Sequence, residues 1–335
     1  MTSQQFRPLR FGIISFAHMH ATSYARCIQA NPDTELVAVA DPDPQRGQTW
    51  AGRFGVPLYA DHRELLERGD IDAVIVTTAN VEHAAMTLDA AAAGKHVLCE
   101  KPLATTVADG RAMIDACARA GVYLGTAFPC RYLPAVARVK EQVDAGKLGR
   151  ILAIAGANRG WMPGGWFVDR AQAGGGAVMD HTVHVADLIR WFTGAEFAEV
   201  YAEAGTLFHD LDIDDAGLLS FSMTDGTICT LDASWSRLPH YRGWGDVSMN
   251  ILGEDGYVSI DSLSQALMLS NEERGAVWIG WGSDMDYLLI EDFARRVSRG
   301  EPPAITGEDG LAAMELALAA YRSVETGLPV KLPLE

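Results

Sequence analysis

At 335 residues and 48% hydrophobic, the chain is longer than most single domains and can bury substantial cores, so two domains are expected. Its formal net charge of -17 sets it against nucleic acid and acidic membrane surfaces, which share that sign, and leaves a small molecule as the expected partner. Cys27, Cys99, Cys117, Cys130 and Cys229 form no C-x-x-C pair, the N-terminus shows no secretory pattern, and no apolar run reaches the roughly 18 residues that cross a bilayer; a cytoplasmic protein is expected.

The first third alternates short apolar runs with helical patterns. Arg10–Ala17, Glu35–Asp41, Ala73–Thr77, His96–Cys99 and Val122–Thr126 are too short for helices and are flanked by breakers, so they are predicted to be buried strands. Helices are predicted at Thr22–Ala30, Pro44–Phe54, Glu82–Ala93 and Val107–Ala120, the last two ending at Gly94 and Gly121. Strand-helix-strand repetition implies a doubly wound parallel sheet.

After about residue 128 the rhythm changes. A helix at Leu133–Ala145 precedes longer strands at Ile151–Asn158, Glu199–Thr206, Ala216–Met223, Thr227–Trp235, Asp246–Leu252 and Gly256–Ile260, with turn signals at Thr224-Asp225-Gly226 and Glu254-Asp255-Gly256. Helices return at Tyr287–Arg299 and Gly307–Val324. The expected architecture is α/β: a nucleotide-binding domain over residues 1–128, then an α+β domain over 129–335 with a large, mostly antiparallel open sheet, joined by a tight junction with a cleft.

Four places carry chemistry. Between the first strand and helix, where a dinucleotide fold places Gly-x-Gly-x-x-Gly, stands Ser15-Phe16-Ala17-His18-Met19-His20. All three glycines are missing, but Ser15 and Ala17 are small, backbone N–H groups can still face an anion, and His18 or His20 can add a donor. Asp41 lies roughly 25 residues beyond the start of that loop, where a carboxylate accepts from an adenosine ribose and repels a 2′-phosphate, which favours NAD over NADP. Arg46 nearby keeps NADP open, and the plainer reading of Asp41 is a cap for the next helix.

Glu100-Lys101-Pro102 follows the strand His96–Cys99, so Lys101 is expected to point into the crevice at the carboxyl ends of the strands and hold a substrate oxygen as charge develops on it. Asp180 and His184, four residues apart after Gly174-Gly175-Gly176, are expected to share a helical face, with His184 as acid/base and Asp180 as its partner. Asp187 continues that face, which leaves a polar surface or metal ligation by Asp180, His184 and Asp187 as rival readings. Arg159, Trp161, Trp166, His181 and Tyr287 are weaker candidates for a polyol or sugar, joined by His240, Tyr241 and Trp244.

The order of these parts resembles the Gfo/Idh/MocA oxidoreductase family over nearly the whole chain. Glu-Lys-Pro follows the fourth strand, Gly-Gly-x-x-x-Asp-x-x-x-His comes in the second half, Val76-Thr77-Thr78-Ala79-Asn80 with His83 and Arg131 with Pro134 fit the same pattern, and Thr182 departs from the usual glycine. The resemblance implies an N-terminal Rossmann-type domain, an NAD(P)-dependent dehydrogenase acting on a CH–OH of a sugar, cyclitol or similar compound, and pairing into a homodimer or homotetramer. Taken with the residue chemistry above, the expected cofactor residues are Phe16, Ala17, His18, Met19, Asp41, Thr77, Thr78, Asn80, His83, Glu100 and Lys101, with Lys101, Asp180 and His184 catalytic and no metal.

Other classes stay open. His18-Met19-His20 is similar to the His-x-His of barrel-type, metal-dependent hydrolases, although residues 199–260 break the alternation that a barrel needs. A non-catalytic nucleotide-binding sensor of the same fold and NAD-assisted glycoside cleavage are the remaining alternatives.

Overall fold

A computed structural model describes residues 7–241, 245–264, 266–272, 275–280 and 282–334. Two compact units are present, Met1–Pro129 with Asp286–Leu311 and Cys130–Met285 with Ala312–Glu335.

The first unit alternates β1 (Leu9–Ile14), α1 (Ala21–Ala30), β2 (Thr34–Ala40), α2 (Pro44–Phe54), β3 (Leu58–Tyr59), α3 (His62–Leu66), β4 (Ala73–Val76), α4 (His83–Ala92), β5 (His96–Cys99), α5 (Val107–Ala120) and β6 (Leu124–Thr126). Its six strands are parallel in the order β3-β2-β1-β4-β5-β6. The runs AVIV and HVLC are almost wholly buried because helices cover both faces of such a sheet. Helix ends follow local chemistry. Asp43 caps α2 by accepting from the N–H groups of Gln45 and Arg46, Thr106 caps α5, and Gly121 closes α5 at φ 70°. The segment 286–311 joins this unit through Phe293, whose ring lies 6.1 Å from that of Phe11, and through a bridge between Thr306 and Gly125.

Several element boundaries differ from expectation by one to three residues, the end of the first strand most of all. The first strand stops at Ile14 rather than Ala17, because Ser15 adopts φ 71°, a left-handed conformation that no strand contains.

The second unit contains α6 (Pro134–Asp144), β7 (Ile151–Gly160), α7 (Arg170–Ala173), α8 (Ala177–Thr193), β8 (Phe197–Gly205), β9 (Ala216–Met223), β10 (Ile228–Ser234), β11 (Gly245–Gly253), β12 (Tyr257–Asp261) and the hairpin β13 (Ala266–Asn271) with β14 (Gly275–Gly280). The chain then enters α9 (Met285–Ser298) and α10 (Gly307–Thr326) and ends in β15 (Val330–Lys331). Seven strands form one sheet in the order β12-β11-β7-β10-β9-β8-β15, antiparallel throughout except for β10 beside β7.

Helix α8 packs on one face of that sheet. A Cβ on Gly156 would meet Val185 at 2.6 Å and one on Gly217 would meet Val178 at 2.3 Å, so these glycines let the helix approach the strands. Strand alternation then puts Arg159 and Leu218 on the opposite, open face. The helix is buried on nearly every side, from Ala177 through Ile189. Its polar residues therefore need partners inside the protein.

Candidate active site

The strand order of the first unit reverses between β1 and β4, and ligands of open α/β sheets bind in the crevice formed at such a point by the carboxyl ends of the strands. The loop Ser15–His20 and the segment after β4 meet there. Thr77 donates from its N–H to Ile14 O at 3.0 Å and from its hydroxyl to Ser15 O at 2.7 Å, while the N–H of His18 returns to Thr77 O at 3.0 Å. Thr78 and Asn80 are buried beside them, and the buried His83 ring holds Pro102 O through Nδ1 at 2.9 Å. Burial pushes the His83 imidazole down, which keeps it neutral.

Ser15 supplies the left-handed turn that the missing first glycine would have given. Its hydroxyl accepts from Ala17 N–H at 3.0 Å, so a local hydrogen bond offsets the cost of that conformation. Phe16 is buried and stacks on Trp50 at 5.5 Å, whereas Met19 is exposed.

Asp41 follows β2 directly, and it is Asp43 that caps the next helix. The Asp41 carboxylate instead accepts from Phe16 N–H at 2.8 Å and Asp43 N–H at 2.9 Å, and from Arg46 through Nε at 2.8 Å and Nη2 at 2.7 Å. An adenosine ribose placed at this carboxylate would therefore meet Arg46 as well. A loop with a left-handed first position, a small third position and a carboxylate at the end of β2 fits a dinucleotide even without its glycines.

Glu100 is completely buried at the end of β5. Its Oε1 accepts from Tyr24 OH at 2.6 Å and lies 2.9 Å from His20 Nδ1, while Oε2 accepts from Lys101 N–H at 2.9 Å. Burial alone would raise its carboxyl; the charges of His18 and His20, the His20 hydrogen bond and Lys101 outweigh that and hold it well below the usual carboxylate range. Lys101 itself is 5% exposed. His18, His20 and Glu100 present polar atoms within 4.8 Å of one another, and Glu100 is engaged by Tyr24, the Lys101 N–H and His20.

In the second unit α8 carries Asp180, His181, His184 and Asp187. Asp180 accepts the indole N–H of the fully buried Trp235 at 3.0 Å, and His181 Nε2 lies 3.3 Å from the same oxygen. His181 Nδ1 faces Asn158 O at 3.0 Å and Ser234 O at 3.1 Å; carbonyls only accept, so Nδ1 carries the proton. His184 is 4% exposed, with Nδ1 4.0 Å from Cys130 Sγ. Asp187 belongs to Arg131, which grips it through Nε at 2.8 Å and Nη2 at 2.5 Å. That buried ion pair occupies the carboxylate which a metal reading of Asp180, His184 and Asp187 would need.

The glycine run before α8 has a packing cause. A Cβ on Gly176 would fall 1.9 Å from Asp214 O and one on Gly175 would fall 2.4 Å from Tyr321 OH. Asp214 accepts from Gly176 N–H at 3.0 Å and Val178 N–H at 2.9 Å, and Tyr321 OH accepts from Met179 N–H at 3.1 Å and donates to Asp214 at 2.9 Å. A carboxylate thus caps the positive end of the helix that bears Asp180. Burial, with the Asp214 charge beside it, pushes the Tyr321 phenol well up and keeps it protonated.

The weaker candidates scatter. Arg159 stands on the open face with Asp246 at 3.1 Å and Asp232 at 3.7 Å, away from the face that α8 covers, because it follows Asn158 by one residue in a strand. Trp161 is exposed just after β7, Trp166 is half-buried, and Tyr287 lies on α9 within the segment that joins the first unit. Tyr241, after β10, donates to Asp246 at 3.3 Å, the carboxylate that Arg159 also meets, His240 beside it is exposed, and Trp244 lies outside the described residues. Sequence reasoning missed Trp235, Asp214 and Tyr321, whose only signal was a tryptophan closing a strand and two polar residues far from α8 in the chain.

The first unit is that of an NAD-binding oxidoreductase: residues 9–128 match the oxidoreductase family with NAD-binding Rossmann fold, and residues 136–259 match the GFO/IDH/MocA C-terminal domain. The chain belongs to the Gfo/Idh/MocA family. It is 30% identical to the myo-inositol 2-dehydrogenase of Thermotoga maritima over 97% of this chain and 98% of that protein. It is 35% identical to the levoglucosan dehydrogenase of Pseudarthrobacter phenanthrenivorans over 73% and 67%. A solved levoglucosan dehydrogenase in complex with NADH and levoglucosan superposes with a TM-score of 0.86 at 25% identity, covering 98% of this chain and all of that one (100%). Family membership and the open six-stranded sheet overturn the barrel-hydrolase reading of His18 and His20. No helix among the described residues is long and apolar enough to cross a membrane.

Proposed function

We propose that the protein oxidises a hydroxyl of a sugar, cyclitol or similar polyhydroxy compound, or reduces the matching ketone. Bound NAD supplies the hydride acceptor. Lys101 holds the substrate oxygen and favours negative charge on it, His184 takes the hydroxyl proton, and Asp180 orients the substrate and supports the imidazole. The observation that carries this reading is the buried helix α8, which holds His184 and a Trp235-bonded Asp180 inside a family whose relatives are named as inositol and levoglucosan dehydrogenases. Thr77, Thr78, Asn80, His83, Phe16, Ala17, His18, Met19, Asp41 and Glu100 form the cofactor side.

Screening polyols with NAD and NADP at the absorbance band of the reduced cofactor tests it. A polyol that gives turnover, lost by orders of magnitude in Lys101→Ala and His184→Ala, is the expected result. Near-normal turnover in His184→Ala removes that residue from the chemistry, and NADH binding without any turnover leaves a sensor.

The open face of the seven-stranded sheet exposes Leu218 (65%) and Ile228 (62%), which supports pairing of subunits into a homodimer or homotetramer. Light scattering reads the mass directly. The buried state of all five cysteines suits a reducing cytoplasm.

A further inference from the structure

His20 occupies the position where a dinucleotide loop carries its third glycine, at the entrance to α1. Glycine there allows close packing and brings no charge. His20 brings an imidazole anchored on a buried carboxylate: Nδ1 sits 2.9 Å from Glu100 Oε1, and 29% of the side chain remains exposed. Without the His20 imidazolium, Glu100 would confront the two negative charges of a pyrophosphate arriving at this loop with one cation fewer beside it.

We propose that His20 is a cofactor-binding residue whose imidazolium anchors the pyrophosphate in place of the absent glycine, so that dinucleotide affinity falls as the solution becomes alkaline. This rests on the nucleotide reading of the loop given above.

The groups facing His20 set its charge. Glu100, at the end of β5, stays ionised because its carboxyl is held low. Tyr24, on α1, stays neutral because burial and then the Glu100 charge push its phenol well up. Asp286 at the start of α9 accepts from Ser23 at 2.5 Å and adds a second negative charge, while Lys101 adds a positive one. Burial by itself lowers the His20 imidazole; the charge and hydrogen bond of Glu100, with Asp286, more than reverse this and raise it. His18 is the other imidazole nearby, its ring 4.5 Å from that of His20 and its Nδ1 3.2 Å from the His20 backbone nitrogen. A dinucleotide keeps a constant charge on its pyrophosphate from neutral to alkaline pH, so a slope in affinity there belongs to the protein.

The test is fluorescence titration with NADH from pH 6 to pH 9, on the unaltered protein and on His20→Gln, His20→Gly and His18→Gln. Loss of one nearby charge is expected to raise the dissociation constant of the unaltered protein about tenfold across that range. His20→Gln and His20→Gly are expected to bind with no slope, and His18→Gln to keep it. Calorimetry of NADH binding in two buffers of different ionisation heat, which needs no variant, is expected to show proton uptake near neutral pH. A flat profile with no proton uptake overturns the proposal while leaving the nucleotide reading intact. A slope that survives in both His20 variants also overturns it, and absence of NADH binding at every pH removes the nucleotide reading with it.

Discussion

The indole N–H of Trp235 donates to Asp180 Oδ2 at 3.0 Å inside a cluster made by Ala177, Ile213 and Trp235 itself. A buried carboxylate that loses a donor costs about 1–3 kcal/mol. Trp235→Phe keeps most of the packing and deletes only the donor, so its melting temperature should fall by a few degrees, while turnover should fall about tenfold or more if Asp180 orients substrate. Thermal melts and steady-state kinetics on the same preparation separate the two. Reduced stability with unchanged turnover would assign Asp180 to structure alone.

Asp41 and Arg46 form one ion pair at the end of β2, and on the proposed function the pair governs cofactor choice. The guanidinium neutralises the carboxylate through two hydrogen bonds, and burial opposes but does not overcome the rise that Asp41 imposes on Arg46. Asp41→Ala removes the ribose acceptor and releases Arg46 toward a 2′-phosphate, so NAD should weaken more than NADP. Arg46→Ala leaves a bare carboxylate and should move preference toward NAD. Dissociation constants for both reduced cofactors check the two signs, and equal losses for NAD and NADP in Asp41→Ala would refute the ribose role.

The alternation of the first unit and the antiparallel character of the second were legible because periodicity and turn residues are local signals. Lys101, Asp180 and His184 stood out as candidates because each sits at a fixed offset from a Pro or a glycine run. What the sequence hid is contact between distant segments. Nothing near Gly176 announces that Asp214 and Tyr321, 38 and 145 positions away, cap α8, and nothing near Asp187 announces Arg131. Arg159 looked like a site residue only because strand register, which decides its face, is not written in composition.

Ser15 allows a comparison of two small terms. Its left-handed backbone costs about 1 kcal/mol relative to glycine, and its hydroxyl bond to Ala17 N–H returns a similar amount. Ser15→Gly should therefore change unfolding free energy by less than about 1 kcal/mol. Ser15→Val has neither the hydroxyl nor tolerance for that conformation and should cost about 2–3 kcal/mol. Urea denaturation measures both.

Gly176→Ala carries a larger penalty. A methyl placed 1.9 Å from Asp214 O must displace the loop before β9, and with it the acceptors of Gly176 N–H and Val178 N–H. Overpacking and the lost cap together should cost about 3 kcal/mol or more, and turnover should fall further than stability because Asp180 lies one turn into the same helix. Asp214→Asn, which keeps the shape but removes the charge at the helix end, should cost about 1 kcal/mol.

The Glu100–His20 pair gives the unliganded protein a stability plateau. Glu100 titrates lower in the folded chain than in the unfolded one, so its contribution is full above the ordinary carboxylate range and is lost as pH falls through its depressed value. His20 titrates higher folded than unfolded, so its contribution is full below about 6.5 and is lost as pH rises through its raised value. Stability from this pair should therefore be flat in mildly acidic solution and decline on the alkaline side of neutrality. Glu100→Gln removes the charge that raises His20, and the alkaline decline between pH 7 and pH 9 should flatten in urea titrations of that variant. An unchanged decline would place the titrating group elsewhere.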